Sequence, residues 1–331
     1  MMPQRTINSH QVSALGFGCM TLSHAYGTPP DRKHAHRVLN HALDIGHTLL
    51  DTAALYGFGA NEELLGEALA DRRGEYFLAS KCGLFKNAEG KREIDGRPEI
   101  IKKTCEDSLR RLRTDFIDLY YLHRWDKKIP IEDSMGAMAD LVQEGKIGAI
   151  GLSEVSAGTL QKAHAVHPVA ALQNEYSLFS RNPEIASLEL SRKLGVAYVA
   201  FSPVGRGFLA DINLDPARFP EGDIRRNFPR FRGEALQHNR SLLQEYSRLA
   251  QEAGCTCSQL ALAWLLTRGD HVIPIPGTTS IEHMEENIVA AELSLSPEIL
   301  RALDALINER TVAGARYPDA AMAEIDTENF S

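Results

Sequence analysis

The chain has 331 residues, 44% hydrophobic, 24% charged and 7% aromatic, with a formal net charge of −8. That is the composition of an ordinary globular protein with ample apolar material for a core. The acidic balance excludes a general nucleic-acid binder, which needs a basic footprint.

The N-terminus, MMPQRTINSHQ, carries no apolar signal core. No later run approaches the roughly 20 apolar residues of a membrane span. Five scattered cysteines without a CxxC suit reduced thiols, so a cytoplasmic location is expected. In chain order, a short polar segment at 5–14 reads as a small hairpin. Apolar runs at 16–20, 48–51, 76–81, 117–123, 149–152, 170–173, 197–201 and 272–275 read as eight strands. Amphipathic patterns between them predict helices over 31–46, 61–71, 98–113, 131–145, 156–167 and 183–195, and a pair within 239–268. Two more, 280–291 and 296–308, follow the last strand. Gly46, Gly145 and Gly195 stand at C-terminal cap positions, and Pro98 and Pro183 in first turns. Two loops are long, 83–97 and 204–238, the second interleaving Arg225, Arg226, Arg230 and Arg232 with Phe228 and Phe231. The tail, 309–331, has weak periodicity and reads as mobile or draped over the surface.

Strict strand–helix alternation implies a parallel sheet covered on both faces. An open doubly wound sheet and a closed barrel both satisfy that pattern. Polar residues gather at the C-terminal strand ends: Asp51, Lys81, His123, Ser153, Gln173 and Ser202. Only a barrel brings such ends to one mouth, so a single (β/α)8 barrel domain over 1–331 is expected.

Asp51, Tyr56, Lys81 and His123 come from three successive strand ends or the loops beyond them. Singly, each has an ordinary reading: a strand-end lysine is usually a surface charge, and a histidine there a satisfied core residue. Together they suit protonation of a carbonyl oxygen. A tyrosine, with a reference pKa of about 10, keeps its proton at neutral pH and can act as a general acid. A nearby ammonium stabilises the phenolate left behind, and a drop of ~2–3 units needs roughly 3–4 kcal/mol. His34-x-His36 and His164-x-x-His167 lack a strand-end ligand set, so no metal is expected. Leu22, Tyr26, Phe58 and Trp125 read either as an apolar substrate rim or as loop packing.

Longer motifs accompany the four. They are Leu15-Gly-Phe-Gly18, Asp51-Thr-Ala with Tyr56-Gly57, Ser80-Lys81, IDLYYLH at 117–123 and Gly151-Leu-Ser153. They continue with Gln173-Asn-Glu-Tyr176-Ser177, SPVGRG at 202–207, and Ile275-Pro-Gly277 with Glu286-Asn287. In this order the chain resembles an aldo-keto reductase, specifically the bacterial and plant branch with GLSE (151–154) and AHAVHP (163–168) segments. The resemblance implies a barrel that binds a nicotinamide dinucleotide without a Rossmann domain. The absence of a strand-linked GxGxxG and of a P-loop agrees with that.

By resemblance, Asp51, Tyr56, Lys81 and His123 are the catalytic tetrad, with Tyr56 the acid, and the substrate is a small aldehyde or ketone. Cys19, Met20 and Asp51 fall among the expected cofactor contacts. Ser153 and Gln173 match the positions that hold the carboxamide, with Glu154 able to accept from its NH2, and Tyr176 matches the stacking aromatic. Ser202, Val204, Gly205 and Gly207 match the pyrophosphate loop, where glycines admit backbone N–H groups to phosphate. Arg230 is a candidate phosphate clamp or a solvated loop residue. Gly277, Thr278, Thr279, His283, Glu286 and Asn287 match the adenosine pocket, with a helix N-terminus near Ser280 facing a 2′-phosphate. No Lys or Arg lies between 277 and 287. The expected cofactor is NADPH, with NADH the alternative. The competing function is a cofactor-binding regulatory protein like the potassium-channel β subunits, against which His123 counts because those relatives look to lack it. Nothing in the sequence defines an oligomeric state.

Overall fold

The apolar runs pair into β1 (Phe17–Gly18), β2 (Leu49–Asp51), β3 (Phe77–Cys82), β4 (Leu119–Leu122), β5 (Ile150–Ser153), β6 (Val169–Glu175), β7 (Ala197–Phe201) and β8 (Val272–Pro274). The structure is a computed structural model that describes residues 2–87 and 89–330; Met1, Ala88 and Ser331 lie outside it. The eight strands follow one another in chain order, each parallel to the next. Gly16 N donates to Pro274 O (3.0 Å) and Gly18 N to Pro276 O (3.1 Å), which joins β1 to β8 and closes the expected (β/α)8 barrel. The closure requires glycine: a Cβ on Gly18 would sit 2.8 Å from Ile275 O.

Helices α1 (Arg32–Asp44), α2 (Ala60–Leu69), α3 (Pro98–Leu112), α4 (Ile131–Gln143), α5 (Ala157–Val166) and α6 (Ser187–Leu194) form the outer layer with α7 (Gly233–Glu252) and α8 (Cys257–Leu266). After β8 come α9 (Ile281–Ile288) and α10 (Pro297–Leu306). Asp31, Ser156 and Thr256 cap their helices through side-chain oxygens, and Thr256 with Gln259 completes a capping box. Most boundaries shift by a few residues, and two differ more substantially from the sequence reading. Helix α7 begins at Gly233, before the predicted 239, and Pro183 opens a separate 3-10 turn, with Ala186 at φ −156° interrupting it before α6.

Side chains alternate across each strand. Leu49, Phe77, Leu119, Ala171, Ala197 and Ile273 fill the barrel interior. Leu50, Leu78, Tyr120, Leu172 and Tyr198 pack outward beneath the helices. The hairpin Gln4–Ile7 with His10–Ser13 pushes Ile7 and Val12 into the interior cluster and plugs the N-terminal end. Carried to the opposite end, the inward register delivers Asp51, Lys81, His123, Ser153, Gln173 and Phe201 to one mouth.

Two long loops and the tail cover that mouth. The first holds a hairpin, Leu84–Lys86 with Arg92–Ile94, which the sequence reading left as loop. The tail is draped rather than mobile: Lys127 Nζ donates to Ala323 O (3.0 Å) and Ile325 O (2.7 Å), and Asp326 accepts from the Thr159 hydroxyl (2.6 Å). Among the described residues, no helix is long and apolar enough to cross a membrane.

Candidate active site

Lys81 is wholly buried at the end of β3. Its ammonium donates to the Asp51 carboxylate, to Thr52 O (2.8 Å) and to Tyr56 Oη (3.3 Å). The second Asp51 oxygen accepts from Gln173 Nε2 at 2.7 Å, so the carboxylate is held from both sides. Tyr56 stands on a tight turn, Tyr56–Gly59, where Gly57 and Phe58 adopt left-handed φ values of 58° and 53°. Asn61 secures the turn from below, accepting from the Thr52 hydroxyl (2.6 Å) and donating to Cys19 O (2.9 Å). The His123 ring meets Tyr56 edge-on, 5.8 Å between centroids and 85° between planes. The structure thus brings the four sequence-predicted residues into one cluster.

Burial pushes the Tyr56 phenol above its ordinary value, and Lys81 pulls against that without reversing it. The sequence reading expected a lowered phenol; desolvation is the influence it left out. Burial opposes the charge on Lys81, yet Asp51 and Tyr56 raise its pKa above the usual lysine value. Burial, reinforced by Arg124 and Lys81, holds His123 well below its ordinary value, so its ring is neutral at neutral pH. His123 Nδ1 is buried without a hydrogen-bond partner. The cluster therefore presents a neutral phenol and a neutral imidazole to one wall, with a fixed ammonium buried behind them.

Above them opens a cavity of about 950 Å³ lined by Asp51, Tyr56 and His123. Of the expected cofactor residues, Met20, Ser153 and Gln173 line it near the cluster, and Ser202, Val204 and Gly207 beyond β7. Gly277, Thr278, Thr279, His283, Glu286 and Asn287 form its far end. Volume, glycine-rich backbone and amide-binding side chains fit a dinucleotide. A Cβ on Gly277 would lie 2.5 Å from Gly18 O, so the wall there is bare backbone by necessity.

Five expected contacts do not reach that wall. Cys19 packs into the sheet–helix layer, its thiol donating to Phe17 O (3.7 Å). Tyr176 is one register step out of phase with Gln173: it faces the helices, edge-on to Tyr198 and Trp264, and donates to Glu184 (2.7 Å). Glu154, at φ 55°, turns away from the mouth and takes Arg316 and the Glu175 N–H (2.9 Å). Gly205 and Arg230 face a separate small cavity with Arg206 and Arg316. Arg230 donates to Ser180 Oγ (2.9 Å) and Gly314 O (3.1 Å). Of the rim candidates, Tyr26 lines the pocket, Leu22 is in the core, and Trp125 is part-buried against it, donating to Ile129 O (2.8 Å). No group of three or more potential metal ligands occurs among the described residues.

The family model for the aldo/keto reductase family matches residues 14–308. The chain belongs to the aldo/keto reductase family. An NADP(+)-designated aldo-keto reductase of Schizosaccharomyces pombe is 43% identical over 330 residues, covering 98% of this chain and 97% of the relative. A probable aldo-keto reductase of Glycine max is 41% identical over 308 residues, covering 93% and 89%. The solved glycerol dehydrogenase of Gluconobacter oxydans superposes with a TM-score of 0.85 at 32% identity, covering 93% of this chain and 96% of that one.

In this aldo/keto reductase the strand-end aromatic on the pocket wall is Phe201 of β7, which the sequence reading passed over. Its interior register with Ala197 and Val199 is the signal that could have found it. The 204–238 loop also crosses the pocket as a strap. Ile224 N donates to Ala25 O (3.1 Å), and Asp223 accepts from Gly27 N (2.9 Å) while pairing with Arg225 (2.7 Å). Arg225 lies over the Phe219 ring at 3.9 Å and the Tyr26 ring at 4.8 Å. Arg206 and Arg225, not Arg230, are the loop arginines on the pocket wall.

Proposed function

We propose that this aldo/keto reductase reduces small aldehydes or ketones to alcohols with NADPH. The observation that carries the reading is the Lys81 ammonium, shared between Asp51, the Thr52 carbonyl and the Tyr56 hydroxyl beside a dinucleotide-sized pocket. The pocket would hold a nicotinamide, whose chemistry there would be hydride donation to the carbonyl carbon. Ser153 and Gln173 orient its carboxamide, Phe201 offers a flat face, and Ser202, Val204 and Gly207 receive the pyrophosphate.

Tyr56 Oη then gives its proton to the carbonyl oxygen. A positioned general acid contributes ~10²–10⁴-fold. Lys81 stabilises the phenolate that remains, and Asp51 keeps the ammonium charged and aimed. Neutral His123 orients the carbonyl oxygen beside the phenol, a dipole set in place before reaction. NADPH rather than NADH is supported by the designation of the S. pombe relative and by His283 at the far end of the pocket.

The test is NADPH consumption with a panel of aldehydes and ketones, with alcohol identified as product and NADH run alongside. One alcohol formed per NADPH consumed supports the reading. Tight NADPH binding without turnover of any carbonyl would overturn it in favour of a regulatory binding protein. Equal affinity for NADH would overturn the cofactor assignment alone.

A further inference from the structure

The reacting end of the pocket is cationic in a protein whose overall charge is negative. His24, Arg92 and Arg124 join Tyr56 and His123 on its wall, and Glu324 is the carboxylate of the tail that lines it with them. Lys81 and Asp51 cancel one another beneath the surface. Glu324 is taken by Arg92. Arg124 is left over: its Nη1 donates to His123 O (2.7 Å) and Ser153 Oγ (3.4 Å), both neutral, and its Nε is buried without a partner. Among the described residues, Arg124 makes no ion pair. A half-buried guanidinium facing a cavity without a counter-charge is costly unless the ligand supplies one.

The Arg92–Glu324 pair is of a different kind. Its side chains are 41% and 30% exposed, and an exposed pair of this sort is worth little. A ligand carboxylate can exchange with Glu324 at small cost. Arg124 is fixed in place by the β4 and β5 ends, whereas Arg92 sits on the 83–97 hairpin and its partner on the tail. Both act electrostatically on His123, which places them at the reacting end rather than at the pyrophosphate loop.

We propose that the preferred carbonyl substrate carries a carboxylate, bound by Arg124 with Arg92 as second cation after Glu324 is displaced. The planar guanidinium fork suits a carboxylate in two parallel N–H···O bonds. This inference rests on the reductase reading and narrows it to oxo acids and semialdehydes.

The test compares 4-formylbenzoate with its methyl ester, and 4-oxobutanoate with its methyl ester, in steady-state reduction by NADPH. Wild type is expected to favour each acid by about tenfold or more in kcat/KM, carried by KM, as a charged hydrogen bond implies. Arg124→Met should collapse the acid-to-ester ratio, Arg124→Lys should restore part of it, and Glu324→Gln should raise it. NADPH affinity, followed by fluorescence, shows that each variant is folded and that Arg124 does not serve the cofactor phosphates. Equal use of acid and ester by wild type, an unchanged ratio in Arg124→Met, or a loss confined to NADPH affinity would overturn the inference while leaving the reductase reading intact. Failure of acid and ester alike in NADPH-loaded wild type would instead remove the reductase reading and this inference with it.

Discussion

Tyr56 answers to two opposed influences, burial that keeps its proton on and Lys81 that eases its departure. With burial the larger, the phenol stays protonated through neutrality and loses its proton only above the ordinary tyrosine range. His123, held low, has already lost its own. The kcat/KM for carbonyl reduction should therefore be flat from about pH 6.5 to about 9 and fall only as the phenol ionises, above ~10. A limb between pH 6 and 7 that vanishes in His123→Asn would contradict the neutral imidazole. The three residues around Tyr56 (Asp51, Lys81 and His123) were legible because each is a polar side chain ending an apolar strand. Phe201 was not, since an aromatic at a strand end looks like core, and only counting register from Val199 separates it from Tyr176. Arg124 was equally hidden, because sequence does not say which arginines find a carboxylate.

At the scale of elements, alternation made the eight strands and their helices plain, whereas the 204–238 loop carried no periodicity to read. Its path is set by long-range contacts, chiefly Asp223 accepting from Gly27 N and Ile224 N donating to Ala25 O. The arginine-rich stretch announced a clamp, but which arginine faces the pocket depends on turns at Ile224–Asn227 and Pro229–Phe231. Asp223→Ala removes the side-chain tie of the strap to Gly27 N and unpairs Arg225, leaving the Ile224 N to Ala25 O bond. NADPH release, measured by stopped-flow fluorescence, should then quicken about tenfold or more, since a hydrogen bond to a charged group is worth about 1.5–3 kcal/mol. Release at the wild-type rate would mean the strap does not retain the cofactor.

Across the whole molecule, the tail is fastened by ionic contacts together with scattered apolar anchors at Tyr317 and Ile325, and the lack of a periodic stripe is why its sequence left its position undecided. Arg316 reaches Glu154 (3.2 Å) at the end of β5 and Glu175 (3.7 Å) at the end of β6, and Arg206 also pairs with Glu175 (2.7 Å). Removing one member leaves buried carboxylates underpaired, so Arg316→Met should lower unfolding free energy by about 3–5 kcal/mol in urea. A loss below about 1 kcal/mol would mean water replaces the arginine. Burial pushes the Glu175 carboxyl up, but Arg206 and Arg316 outweigh it and hold the group at about 2 against an ordinary 4.5. A carboxyl lowered by folding stabilises above its unfolded value and loses that contribution as pH falls through its folded one. Stability should therefore begin to drop below about pH 4.5, by about 3 kcal/mol from this group at full protonation.

The central claim is that Tyr56 delivers the proton while other groups hold the cofactor. Tyr56→Phe keeps the ring and removes the hydroxyl, so NADPH affinity should stay within about threefold of wild type while carbonyl reduction falls by ~10²-fold or more. Reduction by Tyr56→Phe at the wild-type rate would contradict the mechanism.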